Sequence, residues 1–173
     1  TVKAGQKCTA IRRIFVPENK MEDAWKAIAG ELDKTTIGNP LNEKVRMGSL
    51  AGETQRQEVR EQVQKLLASS QIVYGSLDSV EVVDADARSA AFISPVLLMN
   101  DQPHTSREPH EVEAFGPVST IMPYRNMDDA IALSKLGKGS LVTTIVTADH
   151  REARQYVIGA ATHHGRILLL NQE

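Results

Sequence analysis

One residue in this chain is equipped to act as a covalent nucleophile at neutral pH: Cys8, the sole cysteine among 173 residues. It lies in the stretch KAGQKCTAIRRIFVP, residues 3–17, a polar, glycine-containing run that leads into β-rich sequence. On composition alone a single cysteine is a small buried hydrophobe. Its neighbours argue otherwise: Gln6, Lys7 and Thr9 do not make an apolar packing site, and Gly5 lets the backbone pass close to another group. Nucleophilic use requires the thiolate, which Lys7 or nearby backbone N–H groups would favour. The five histidines, His104, His110, His150, His163 and His164, do not stand at the spacings of a ligand set, and there is no cysteine pair, so no metal centre is expected. His163 and His164 close an expected helix, where a cation complements the helix dipole.

The charge balance narrows the partners. Lysine plus arginine total 20 and aspartate plus glutamate 22, a net charge of −2. That gives no reason to expect nucleic acid or an anionic membrane as partner. One cysteine cannot form an internal disulfide, and neither a secretory leader nor an apolar run of bilayer length is read in the sequence, so a reducing cytoplasm is the expected compartment. The chain opens on Thr1 rather than methionine and stops at LLLNQE, directly after an apolar strand. Both ends are expected to be cuts through a longer protein.

The elements that must position Cys8 follow from periodicity. Residues 9–16, TAIRRIFV, read as a strand closed by Pro17. In 19–34, Met21, Ala24, Trp25, Ile28 and Leu32 fall on one helical face, with Asn19 as the expected N-cap. Glycines and a proline make 35–52 a loop. A second helix spans 53–69, with Val59, Val63, Leu66 and Leu67 as its stripe and a charge-rich, solvated opposite face. QIVYG, AAFISPVLLMN and GPVSTIMPY read as strands. A helix follows, capped by Asn126 with Asp129 three residues on and punctuated by Gly137. SLVTTIVTA is nearly continuous in apolar and β-branched residues and is expected to be buried on both faces. The next helix carries Asp149 and Glu152 at capping-box spacing and Gly165 as its stop, and RILLLN is the last strand. Strand–helix alternation over the final fifty residues predicts right-handed crossovers. The fold class is α/β: a mainly parallel open sheet with flanking helices, one domain over residues 1–173.

Three stretches carry a resemblance. AGQKCTAIRRIFVP resembles the nucleophile segment of the aldehyde dehydrogenase superfamily, whose pattern is Gly-Gln-x-Cys-x-Ala ahead of a strand. IGNPLNEKVRMGSLAGETQ, residues 37–55, resembles that family's Gly-(Asp/Asn)-Pro-Leu, Met-Gly-(Pro/Ser)-Leu and Gln loop and helix. EAFGPVSTIMPY, residues 113–124, resembles its Glu-x-Phe-Gly-Pro-Val motif. They stand in the family's order at roughly its spacing, over nearly the whole chain. The version AGQKCTAIRR is similar to a narrower group that oxidises CoA-linked semialdehydes in aromatic-acid degradation, including bifunctional phenylacetate-degradation proteins with a fused ring-opening, hydratase-like domain. Two positions depart from the pattern: Lys3 stands where the family usually has Asn, and Val112 where many relatives carry a second Glu.

The resemblance implies a catalytic domain of aldehyde dehydrogenase type. Cys8 would be its nucleophile, and Glu113 and Phe115 would hold the nicotinamide ribose and ring of NADP or NAD. It also implies a small-molecule aldehyde substrate, possibly CoA-linked, and a homo-oligomer. The family's glutamate base, oxyanion asparagine and dinucleotide-binding sheet lie upstream of the cysteine, so a chain with its cysteine at position 8 is expected to lack them and to be inactive alone. Two alternatives stay open: a CoA-acylating dehydrogenase, in which CoA rather than water resolves the thioester, and a non-catalytic α/β assembly module in which Cys8 is incidental.

Overall fold

The computed structural model describes residues 2–171. Five helices run over Met21–Leu32 (α1), Glu53–Leu66 (α2), Glu108–Glu111 (α3), Met127–Lys135 (α4) and His150–Ala160 (α5). Six strands run over Arg13–Pro17 (β1), Gln71–Tyr74 (β2), Val96–Met99 (β3), Val118–Tyr124 (β4), Ser140–Val146 (β5) and His164–Leu170 (β6). The main sheet has the order β1-β4-β3-β2, with β1 and β3 parallel to β4 and β2 antiparallel at the edge. This is the expected mixed α/β, mainly parallel sheet with flanking helices.

The core lies between α2 and the main sheet. Val59, Val63 and Leu66 of α2, three and four apart, pack with Ile37, Met47, Leu50, Phe92, Val96, Leu98 and Val118. A smaller cluster joins α4, α5 and the β5–β6 pair through Ile131, Tyr156 and Ala160. Asn126 Oδ1 accepts from the Asp129 N–H, the expected cap of α4.

Several expectations are corrected. Asn19 does not cap α1; a 3-10 turn, Glu18–Lys20, runs directly into the helix, and the Glu18 carbonyl accepts from the Met21 N–H instead. None of the α1 stripe is fully buried. The first strand starts at Arg13, so residues 9–12 lead into it as irregular chain, tied to β4 by Ser119 Oγ donating to the Ile11 carbonyl and the Thr120 N–H to the Arg12 carbonyl. The strand read in 90–100 is confined to Val96–Met99, because Pro95 has no N–H for a ladder. Gly165 does not stop α5: it sits in β6, where a side chain would meet the Leu141 carbonyl. Asp149 caps α5 by accepting from the Arg151 N–H, but Glu152 turns away from the box and accepts from Thr147 Oγ1.

The largest difference concerns β5. It pairs in parallel with β6 as a separate two-stranded sheet rather than joining the main one. One side of that pair is open: Val146, Leu168 and Leu170, which share a face by register, are 75, 47 and 45 % exposed, while Thr143, Ile145 and Ile167 on the other face meet Tyr156 of α5. Strand β5 is therefore covered on one face only.

Candidate active site

Parallel pairing decides where the site forms. Arg13 of β1 is registered with Thr120 of β4, so the segments entering the two strands emerge at the same end of the sheet. The first segment carries Cys8; the second carries Glu113 and Phe115. All three expected site residues thus lie at the amino ends of β1 and β4.

The turn before Cys8 is built from left-handed backbone. Lys3, Ala4 and Gly5 have φ of 52°, 51° and 72°. Two successive non-glycine residues in this region are costly for L-amino acids. They persist because packing fixes them: Ala4 is 2 % exposed, and the Lys3 carbonyl accepts from the Gln6 N–H. A Cβ on Gly5 would sit 2.1 Å from the Gly116 carbonyl oxygen, so no other residue allows the two backbones to touch. Gly116 in turn lies against α2, where an added Cβ would stand 2.8 Å from Val59 Cγ2. Glycine in one motif therefore sits on glycine in another, and the second rests on α2.

The 37–55 stretch closes the arrangement. Gln6 Oε1 accepts from the Ala51 N–H at 2.8 Å, across 45 residues of sequence. Leu50, next to Ala51, is buried and donates its N–H to the Ala91 carbonyl. Gly5 makes the close backbone approach expected of it; the bond from Ala51 to Gln6 is the contact that the sequence did not reveal, its one signal being the Gly-Gln pair ahead of the cysteine.

The side chains expected to form the site point outward. Cys8 is exposed, as are Glu113 and Phe115, the latter at 45 %. Between them Ala114 and Gly116 are buried, so the backbone is anchored while its alternate side chains project. The expectation of an exposed rather than a packed cysteine matches this placement.

Behind the site, β1 and α3 are locked by a polar contact. Arg13 Nη1 meets His110 Nδ1 at 3.0 Å and donates to the Leu133 carbonyl, while Nη2 donates to the Ser134 carbonyl. His110 is 5 % exposed, and its Nε2 lies 2.8 Å from the Pro103 carbonyl. With Nε2–H donating to that carbonyl, Nδ1 is free to accept from Arg13. Burial pulls the Arg13 guanidinium down to about 10, with Arg12 reinforcing and Tyr156 opposing. Burial likewise holds His110 below the usual histidine value, and the charges of Arg13, Arg12 and His104 add to this against the hydrogen bond to Pro103. Arg13 stands five residues after Cys8, and His110 three before Glu113. His164, expected as a cation at a helix end, is instead stacked on Tyr156 with Nδ1 2.6 Å from Ser140 Oγ. Burial lowers its proton affinity, followed by Arg13 and His163. His163 belongs to the short turn between α5 and β6.

Known proteins share both sequence and fold with this chain. The chain is 40 % identical over 171 residues to the 3,4-dehydroadipyl-CoA semialdehyde dehydrogenase of Aromatoleum evansii, covering 99 % of this chain and 33 % of that protein. It is 44 % identical over 128 residues to Protein MaoC of Klebsiella aerogenes, covering 73 % and 36 %. Its fold matches a crystal structure of betaine aldehyde dehydrogenase from Staphylococcus aureus in complex with NAD+, with a TM-score of 0.85 at 22 % identity over 96 % of this chain and 32 % of that one. The chain thus spans about a third of the length of these relatives. No helix among the described residues is long and apolar enough to cross a membrane. The sequence model of the aldehyde dehydrogenase family matches residues 1–165, and with three of that family's motifs joined around one cysteine the chain belongs to the aldehyde dehydrogenase family.

Proposed function

We propose that Cys8 is the nucleophile of an NAD(P)-dependent aldehyde dehydrogenase that oxidises a CoA-linked semialdehyde of aromatic-acid degradation to the acid. We further propose that residues 1–173 form its cysteine-bearing catalytic part. The observation that carries the reading is the convergence of three distant segments: Gly5 against Gly116, Gln6 on Ala51, and Gly116 on Val59. These contacts serve to fix the backbone on either side of an exposed thiol, which is what a positioned nucleophile needs. The CoA-linked substrate rests on the name of the Aromatoleum relative.

In this reading the Cys8 thiolate adds to the aldehyde carbon, and the carbonyl electron pair moves to oxygen, giving a thiohemiacetal. The backbone N–H of Cys8 is one donor for that oxyanion. A bound nicotinamide supplies the hydride acceptor for oxidation of the adduct to a thioester, which water then hydrolyses. The second oxyanion donor and the general base that activates the water belong, in this proposal, to the part of the protein beyond these residues.

The residues present fit one edge of that cofactor. Glu113 is exposed and forms no ion pair among the described residues, leaving its carboxylate free to accept from two vicinal ribose hydroxyls. Phe115 offers an exposed ring two residues on, held by the buried Ala114 and Gly116, against which a nicotinamide can be oriented. Replacing Cys8 by alanine in the complete protein should reduce NAD(P)-dependent aldehyde oxidation by at least about 10³-fold, since no other thiol is available in this chain. Turnover near that of the unmodified protein would refute the assignment.

A further inference from the structure

The outer face of the second helix is solvated as expected, with Gln57, Glu58, Glu61 and Lys65 exposed, but two arginines flanking the buried stripe are not. Arg56 and Arg60, four apart on α2, turn inward to carbonyls of the chain before β3: Arg60 Nη2 donates to the Leu77 carbonyl at 2.9 Å and Arg56 Nη1 to the Phe92 carbonyl at 3.5 Å. Together with Arg88 they line an open pocket of about 310 Å³, whose floor includes Phe92 and Ile93, 4 and 3 % exposed. The neighbouring charges are unevenly spoken for. Arg56 is paired with Glu53 at 2.7 Å and Arg88 with Asp86 at 3.2 Å, and Asp78 is the one carboxylate lining the pocket. Arg60 Nε, however, is buried and has no hydrogen-bond partner among the described residues. A buried guanidinium N–H without an acceptor is unfavourable, and an anion entering the pocket would remove that cost. Arg88, 90 % exposed at its side chain, can swing over the opening.

The pocket is tied to the candidate active site through α2. Gln6 grips the Ala51 N–H two residues ahead of that helix. At 1.5 Å per residue, Arg56 and Arg60 lie roughly 7 and 14 Å from Ala51 along the helix axis. CoA carries its reacting group at the tip of a long arm, and its phosphates and adenine must be held at a distance from the nucleophile. Guanidinium groups gathered at one pocket suit phosphate oxygens.

We propose that this pocket binds the phosphate-bearing nucleotide end of the substrate's CoA group, with Arg60 and Arg88 donating hydrogen bonds to its phosphates. The proposal rests on the CoA-linked substrate argued above but needs no chemistry at Cys8. The complete protein should be titrated by calorimetry with CoA under reducing conditions, with dephospho-CoA, and with inorganic phosphate. CoA should saturate a single site and bind more tightly than dephospho-CoA, and Arg60→Met should weaken it about tenfold. Arg88→Ala, at an exposed side chain whose loss leaves the core intact, should weaken it severalfold, whereas Arg154→Ala on the distant α5 should not. No saturable binding of CoA would overturn the proposal. So would equal binding by the wild type and both pocket variants, or inorganic phosphate binding as tightly as CoA, which would make this an adventitious anion site. CoA binding that fails here, beside a Cys8-dependent aldehyde oxidation in the complete protein, would remove this pocket and leave the proposed function standing.

Discussion

Lys3 shows what the sequence conceals at single positions. Where the family usually has asparagine this chain has lysine, and the structure gives that residue φ 52° and ψ 36°. Asparagine tolerates left-handed backbone better than lysine because its short side chain can bond locally. Lys3→Asn should therefore stabilise the chain by about 0.5–1 kcal/mol and raise its melting temperature by roughly 2 °C. A lower melting temperature would mean that Lys3 makes a compensating contact. Glu113 carries a functional expectation instead. In the complete protein, Glu113→Gln should raise the Michaelis constant for NAD(P) and slow turnover while leaving that for the aldehyde nearly unchanged. A change confined to the aldehyde constant would contradict its proposed role at the ribose. Cys8, Glu113 and Phe115 could all be picked out from motifs. The left-handed turn could not, because no residue type in Lys-Ala-Gly except glycine advertises positive φ.

The elements were readable where burial is one-sided and hidden where polar contacts decide. Helix α2 follows its stripe of Val59, Val63 and Leu66, and α4 follows its Asn126 cap. The charges at Arg56 and Arg60 misled because hydrophobic periodicity says nothing of which arginine finds a carbonyl. The apolar run of β5 suggested two covered faces, yet pattern alone does not say whether the second cover comes from the same chain. The β1–α3 lock was also invisible, since it needs Arg13 and His110 brought together across 97 residues. It has a pH signature. Folded His110 binds its proton less readily than an unfolded histidine at 6.5, because of burial and then the charges of Arg13, Arg12 and His104. The unfolded state thus takes up more protons as the pH falls. This contribution to stability is complete above pH 6.5 and is lost on going below it toward the lowered folded value. His164, also depressed, acts in the same direction. The urea midpoint of the chain should fall between pH 7 and 5, and His110→Gln should flatten that fall while lowering the midpoint at pH 7. An equally steep fall in the variant would assign the effect to other groups.

On the proposed reading, the whole molecule is one wall of a site. Its thiol, carboxylate and aromatic ring project from the amino ends of β1 and β4, and it spans about a third of the length of its relatives. Removing preorganised oxyanion donors alone costs about 3–4 kcal/mol of transition-state stabilisation in other enzymes. The chemistry proposed for Cys8 therefore has to be tested in the complete protein. The most direct measurement is rapid chemical quenching of that protein during turnover of a CoA-linked semialdehyde with NAD(P), followed by mass spectrometry of the peptide containing Cys8. The account predicts that this peptide gains the mass of the acyl group in a hydroxylamine-labile linkage, formed at a rate at least as fast as turnover and missing from Cys8→Ala. An unmodified Cys8 peptide throughout turnover, with the alanine variant still oxidising the aldehyde, would contradict it.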